Sequence, residues 1–142
     1  MGLSMGGFGA LHTALAYPDV FGKAAGLSSA LIVHDIAHMK EGDSDKIANY
    51  AYYHECFGDL ETVEESDNNP EVLVKRLKES GKKIPEMFIS CGTEDFLLEK
   101  NRVMHAFLDG IGVSHVYMES KGGHDMDFWN EYAVKFTEMM YR

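Results

Sequence analysis

Cysteine is nearly absent from the 142 residues, and the two present, Cys56 and Cys91, make neither a metal quartet nor a CxxC pair. A disulfide-stapled framework is therefore excluded, and both side chains are expected to be buried, reduced thiols. Basic residues are scarce as well. Thirteen Lys plus Arg stand against 23 Asp plus Glu, a net charge of -10, which opposes attraction to nucleic acid or anionic lipid. Long apolar runs are missing too: none approaches the roughly 20 residues that cross a bilayer. The opening MGLSMGGFGA lacks the basic segment and apolar stretch of a signal peptide. Neither nucleic acid nor membrane is expected as a partner, and a cytoplasmic location is favoured. What remains is ordinary, with 45% apolar and 25% charged residues, the balance of a soluble globular chain. The length suits one domain that buries a real core.

Residues 8–17 (FGALHTALAY) read as a helix ended by Pro18, because alanine and leucine dominate and the residue before proline resists helical dihedrals. Residues 23–28, 86–91 and 113–119 are short runs of small apolar or strand-forming types, and these are the three expected strands. Between the last two, Val103, Met104, Phe107 and Leu108 recur at helical spacing. Phe128, Tyr132 and Phe136, four apart, mark a core-facing helix over 126–141. Strand and helix alternate, so the fold class is α/β with parallel βαβ units. Residues 34–80 interrupt the alternation with NYAYYHECF, an acidic run from Asp59 to Asp67, and a helix capped by Asn69 with Pro70 in its first turn. They are expected as an insertion or cap over one sheet end within a single domain spanning 1–142.

Gly2, Leu3, Ser4, Met5 and Gly6 spell GxSxG with a helix directly behind, the spelling of a nucleophile elbow. The serine sits on a strained strand-to-helix turn, and side chains two positions to either side are expected to collide with neighbouring backbone. The helix start aims unpaired N–H groups at a reacting carbonyl, and the Met5 backbone N–H is the expected oxyanion donor. The pentapeptide alone is weak evidence, since a glycine-rich turn spells the same. Its context adds weight: an acid and then a histidine must follow on loops after later strands. The strand ending at Cys91 runs into Gly92, Thr93, Glu94, Asp95, and the one ending near Glu119 runs into Gly122, Gly123, His124. Ligands of open α/β sheets bind at these carboxyl ends. Histidine titrates near neutrality, so it can take a serine proton and return it to a leaving group. Glu94, Asp125 and Asp127 are the rival acids; Asp95 is preferred on order and position. His34 and His38, four apart, could hold a metal, but the residues between lack the glutamate of HExxH, so a surface role is expected. Tyr50, Tyr52, Tyr53, His54 and Phe57 are either core or pocket lining.

The segments GLSMGGFGALHTALAYPDVF, CGTEDFLLEKNR and GGHDMDFWN together resemble the esterase D family of α/β-hydrolases, nearest its tributyrin esterase and feruloyl or acetyl-xylan esterase branches. The resemblance implies Ser4 as nucleophile, Asp95 as acid, His124 as base, no metal and no cofactor. It implies a small-molecule or carbohydrate-linked ester as substrate. One departure is Met126, where many relatives carry tryptophan. The elbow needs a strand in front, and only Met1 precedes Gly2, so the chain is expected to be the C-terminal half of the hydrolase. Three functions follow: a serine carboxylesterase, a catalytically silent half-domain, or an S-formylglutathione hydrolase. The GLSMGG and DFWN segments favour the first. By the same reasoning the isolated chain should self-associate or pair with its other half, since one sheet edge is open. Ser4, poorly supported in front, should stand too far from His124 for a hydrogen bond of roughly 3 Å, or be held there only by a neighbouring copy.

Overall fold

The computed structural model describes residues 1–142, and strand alternates with helix from its first turn. β1 (Gly2–Leu3) leads through Ser4 into α1 (Met5–Ala16), followed by β2 (Lys23–Leu27), α2 (Val33–Ile36) and α3 (Tyr50–Phe57). A 3-10 helix (Leu60–Glu65) and α4 (Pro70–Ser80) precede β3 (Glu86–Gly92), α5 (Leu98–Gly110), β4 (Val116–Ser120) and α6 (Met126–Met140). The sheet is entirely parallel in the order β1-β2-β3-β4. Three strands were expected and four form. The additional one, β1, pairs Gly2 with Gly26 and Leu3 with Leu27, and two residues are too short to show the alternation that announces a strand.

Alternate side chains of each central strand enter different cores, as the period of two requires. Ala24 of β2 with Met87 and Ile89 of β3 packs under α1, α4 and α5, against Leu11, Leu15, Val74, Leu77, Met104 and Leu108. Ala25, Leu27 and Phe88 face the other way onto Phe128, Tyr132 and Phe136 of α6. Both sheet faces are covered, which is why β2 and β3 read as continuous apolar runs. A third cluster gathers Ile36, Tyr53, Phe57, Leu60 and Val63 over Phe8, Ala30, Ile32 and Leu97. It therefore sits on the residues that follow β2 and β3, beside the carboxyl ends of the strands.

The helix starts obey their capping residues. Asn69 Oδ1 accepts the Glu71 N–H at 3.0 Å, with Pro70 opening α4, and Asp125 Oδ1 accepts the Phe128 N–H at 3.0 Å to begin α6. On α3, Tyr53 and Phe57 turn inward at i and i+4. That register points Cys56 outward, so the expectation of two buried thiols is corrected: Cys91 is buried and Cys56 is exposed. No helix is long and apolar enough to cross a membrane.

Candidate active site

The turn at Ser4 is strained and over-determined. Its φ of 53° and ψ of -122° lie where side-chain-bearing residues rarely go. The Ser4 N–H donates to the Leu27 carbonyl at 2.9 Å, and the Ser4 carbonyl accepts from Ala30 at 3.0 Å, Gly7 at 3.0 Å and Phe8 at 3.2 Å. A side chain at Gly2 would strike the Gly6 carbonyl, so glycine is required there. The matching expectation for Gly6 is corrected, because a Cβ at Gly6 meets nothing within 4 Å. The second crowded position is Gly7, which faces Ser29 Oγ at 2.6 Å from the site of a Cβ. Gly6 lies on the exposed side of α1, whereas Gly7 is buried toward β2. Met5 is the first residue of α1, where a backbone N–H has no acceptor one turn back.

The loops after β3 and β4 are brought together at a close approach. A Cβ on Gly92 would stand 2.6 Å from the Gly122 carbonyl carbon and nearer still to its oxygen. Without one, Thr93 donates to the Ser120 carbonyl and Glu94 to the Gly122 carbonyl, both at 2.9 Å. Asp95, whose side chain is fully buried, is then oriented by the Leu97 N–H, which donates to Oδ1 at 2.8 Å. His124 Nδ1 lies 3.0 Å from Asp95 Oδ2 and 3.2 Å from Oδ1, and Nε2 lies 3.0 Å from Ser4 Oγ. The expected separation of Ser4 from His124 is therefore corrected. The support that matters comes from β2 and the turn after it, which hold both sides of Ser4, not from residues ahead of it. With Nδ1–H donating to the buried carboxylate, Nε2 is left to accept the serine proton.

Two aromatic rings wall the histidine. Phe96 lies 4.8 Å from it and Trp129 meets it edge-on at 4.8 Å. Trp129 is fixed in turn, since Nε1–H donates to Ser28 Oγ at 3.0 Å, and Ser28 has a φ of 46°. Sequence reasoning missed these two walls, although Phe96 adjoins Asp95 and Trp129 lies within the DFWN segment. Met126 is exposed. Beyond Phe96 opens a cleft of about 310 Å³ lined by Ile32, Ile47, Leu97, Lys46 and Lys100 among others. Cys91 does not compete as a nucleophile: burial, then the nearby Asp95, pushes its thiol up to about 12.

The rival groups are exposed or engaged elsewhere. Glu94 is exposed, Asp125 caps α6 and Asp127 is exposed. His34 lies between Glu64 at 2.6 Å and Glu71 at 3.0 Å, whose hydrogen bonds raise its pKa, and His38 is exposed. Tyr53 and Phe57 are core, and burial with the bond to Asp45 pushes the Tyr53 hydroxyl up; Tyr52 and His54 face outward. The aromatic stretch is thus core and surface, and none of it lines the cleft beside Phe96.

A parallel sheet in this order, helices on both faces, a strained serine at the first strand-to-helix turn and a buried acid–histidine pair behind later strands define an α/β-hydrolase. The family model described as "Putative esterase" matches residues 1–140, and the chain belongs to that family. It is 44% identical over 139 residues to an acetyl esterase of Caldicellulosiruptor saccharolyticus, covering 98% of this chain and 52% of that protein. It also superposes on the S-formylglutathione hydrolase FrmB of Staphylococcus aureus with a TM-score of 0.81 at 27% identity, covering 99% of this chain and 53% of that one. The fluorophosphonate-binding serine hydrolase FphF of the same organism gives 0.80 at 28% identity, covering 99% and 52%. The chain thus spans about half the length of the relatives it matches.

Proposed function

We propose that these residues form the catalytic centre of a serine carboxylesterase for short acyl esters, of the esterase D kind, a reading supported by the likeness to an acetyl esterase. The observation that carries the reading is the unbroken chain Ser4 Oγ, His124 Nε2, His124 Nδ1, Asp95 at hydrogen-bond distances of 3.0 Å. In it Ser4 Oγ attacks the ester carbonyl carbon while His124 Nε2 takes its proton, and the Met5 N–H stabilises the oxyanion. The C–O bond to the alcohol breaks, the alcohol leaves with the proton from His124, and Ser4 carries the acyl group. Water repeats the cycle and releases the carboxylic acid. Asp95 fixes the tautomer and stabilises the imidazolium throughout.

The residues of this chain supply one oxyanion donor, and loss of a single donor typically costs about 100- to 1,000-fold in turnover. On this reading a second donor comes from the rest of the hydrolase domain, which also lays a strand beside β1. In its absence the exposed Leu3 and Phe21 beside that edge favour association with another copy. Light scattering that finds the 142-residue chain strictly monomeric at micromolar concentration contradicts that part. The likeness to FrmB favours one second reading, hydrolysis of S-formylglutathione. In the chain extended to full length, turnover of nitrophenyl acetate and of S-formylglutathione, each with Ser4→Ala as control, decides between them, and the 142-residue chain alone is expected to turn over near background. A clear preference for the oxygen ester is expected. Preference for the thioester supports the second reading, and activity that survives Ser4→Ala defeats both.

A further inference from the structure

Away from this centre, α5 and the segment leading into β4 bring together three side chains that ester hydrolysis leaves unused. His105 and Asp109 are four apart on α5 and share a face, and His115 immediately precedes β4. One ligand atom of each lies within 4.8 Å of the other two. His105 Nδ1 and His115 Nε2 are 2.8 Å apart, and Asp109 Oδ2 is 3.6 Å from His105 Nε2. His115 Nδ1–H donates to the Val113 carbonyl at 2.8 Å, which turns the Nε2 lone pair toward His105. Such a backbone bond is how the tautomer of a metal-bound histidine is commonly fixed. Tyr117 stacks on the His105 ring at 4.2 Å and 6° and holds its orientation. The nearby Glu119 is already taken, by Arg102 at 2.7 and 2.8 Å and by the Tyr117 hydroxyl at 2.6 Å.

We propose that His105 Nδ1 and His115 Nε2 bind a zinc-class transition-metal ion that clips α5 to the start of β4, with Asp109 on the other nitrogen of His105, where it fixes that ring's tautomer. Imidazole ligands suit zinc, cobalt, nickel or copper, and offer none of the six or more oxygens that calcium takes. Around a tetrahedral ion at metal–nitrogen distances of about 2.0–2.1 Å, two nitrogens stand about 3.3 Å apart. The rings therefore open by about 0.5 Å, and the proton between them leaves His105 Nδ1, the neutral ring then carrying its one proton on Nε2 toward Asp109. Asp109 is exposed and both histidines are partly so, which gives the ion an entry path and leaves water to complete its shell. β4 is an edge strand of five residues, so about 16 Å of chain separates this site from the end that leads to His124. The ion's role is structural, and it stands apart from the proposed ester chemistry.

Calorimetric titration of the untagged protein with zinc chloride is expected to give one ion per chain and to raise the thermal unfolding midpoint, whereas magnesium chloride does neither. His105→Gln and His115→Gln each lower zinc affinity about tenfold or more and remove the thermal shift. His34→Gln, at the Glu64 and Glu71 pair, changes neither. Cobalt(II) gives a readout independent of stability: the visible absorption of imidazole-bound cobalt is present in the parent and absent in His115→Gln. Parental zinc affinity in His115→Gln, or a parent protein without thermal shift and without the cobalt spectrum, overturns the proposal.

Discussion

Gly92→Ala tests whether the active-site geometry depends on the close approach of the two loops. The new Cβ would stand 2.6 Å from the Gly122 carbonyl carbon, where ordinary contact begins at 3.4 Å, and the obstacle is backbone, which cannot swing aside. The Gly122 segment must retreat by about 1 Å, and a misplacement of that size at a reacting group costs about 100-fold in rate. His124 follows two residues later, so its 3.0 Å bonds to Asp95 and Ser4 are the ones stretched. Overpacking of this kind also destabilises by about 1–3 kcal/mol. Gly9→Ala on α1, with nothing within 4 Å of its Cβ, is the control and should be neutral or stabilising by up to about 1 kcal/mol. Nitrophenyl acetate turnover and urea unfolding measure both. A Gly92→Ala protein with parental turnover and parental stability refutes the argument.

Asp95→Asn should lower turnover by about 10,000-fold with the fold retained by circular dichroism, since the histidine loses its tautomer, while Glu94→Gln leaves it nearly unchanged; the reverse ranking would reassign the acid. Phe136→Ala, at a fully buried ring between Phe88 and Tyr132, should cost about 3–5 kcal/mol in denaturant unfolding, and a loss below about 1 kcal/mol would contradict the assignment of α6 to the core. Glu119 is held down to about 2, chiefly by its hydrogen bonds to Arg102. A depressed folded-state value means its contribution is present above the ordinary carboxylate range and disappears as pH falls toward 2. Arg102→Met should therefore move acid unfolding to higher pH, and an unchanged acid midpoint would show that the pair contributes nothing.

How far these features could be read from residues alone depended on their range. The elbow is local, so GLSMGG announced both the turn and the helix behind it. Asp95 and His124 were found because each follows a recognisable strand. β1 escaped because two residues carry no period. The apolar Val113 reads as part of the last strand, but it is buried in the segment before β4, which begins at Val116. The position of Ser4 is not set by the residue ahead of it, because Leu27 at the end of β2 and Ala30 in the turn beyond grip its backbone from 23 and 26 residues on. Trp129 and Ser28 meet across 101 positions, and no spacing rule reveals such a pair. The His105, Asp109 and His115 group had one visible signal, the i, i+4 pair on α5; its third member is set only by the turn into β4.

The most direct test is to treat the protein with a fluorophosphonate and locate the adduct by peptide mass spectrometry. The account predicts one modified residue, Ser4, in the parent and in Glu94→Gln, with labelling lost in Ser4→Ala and strongly slowed in His124→Ala. An adduct on any of the other serines, or label persisting at the parental rate in His124→Ala, would contradict it.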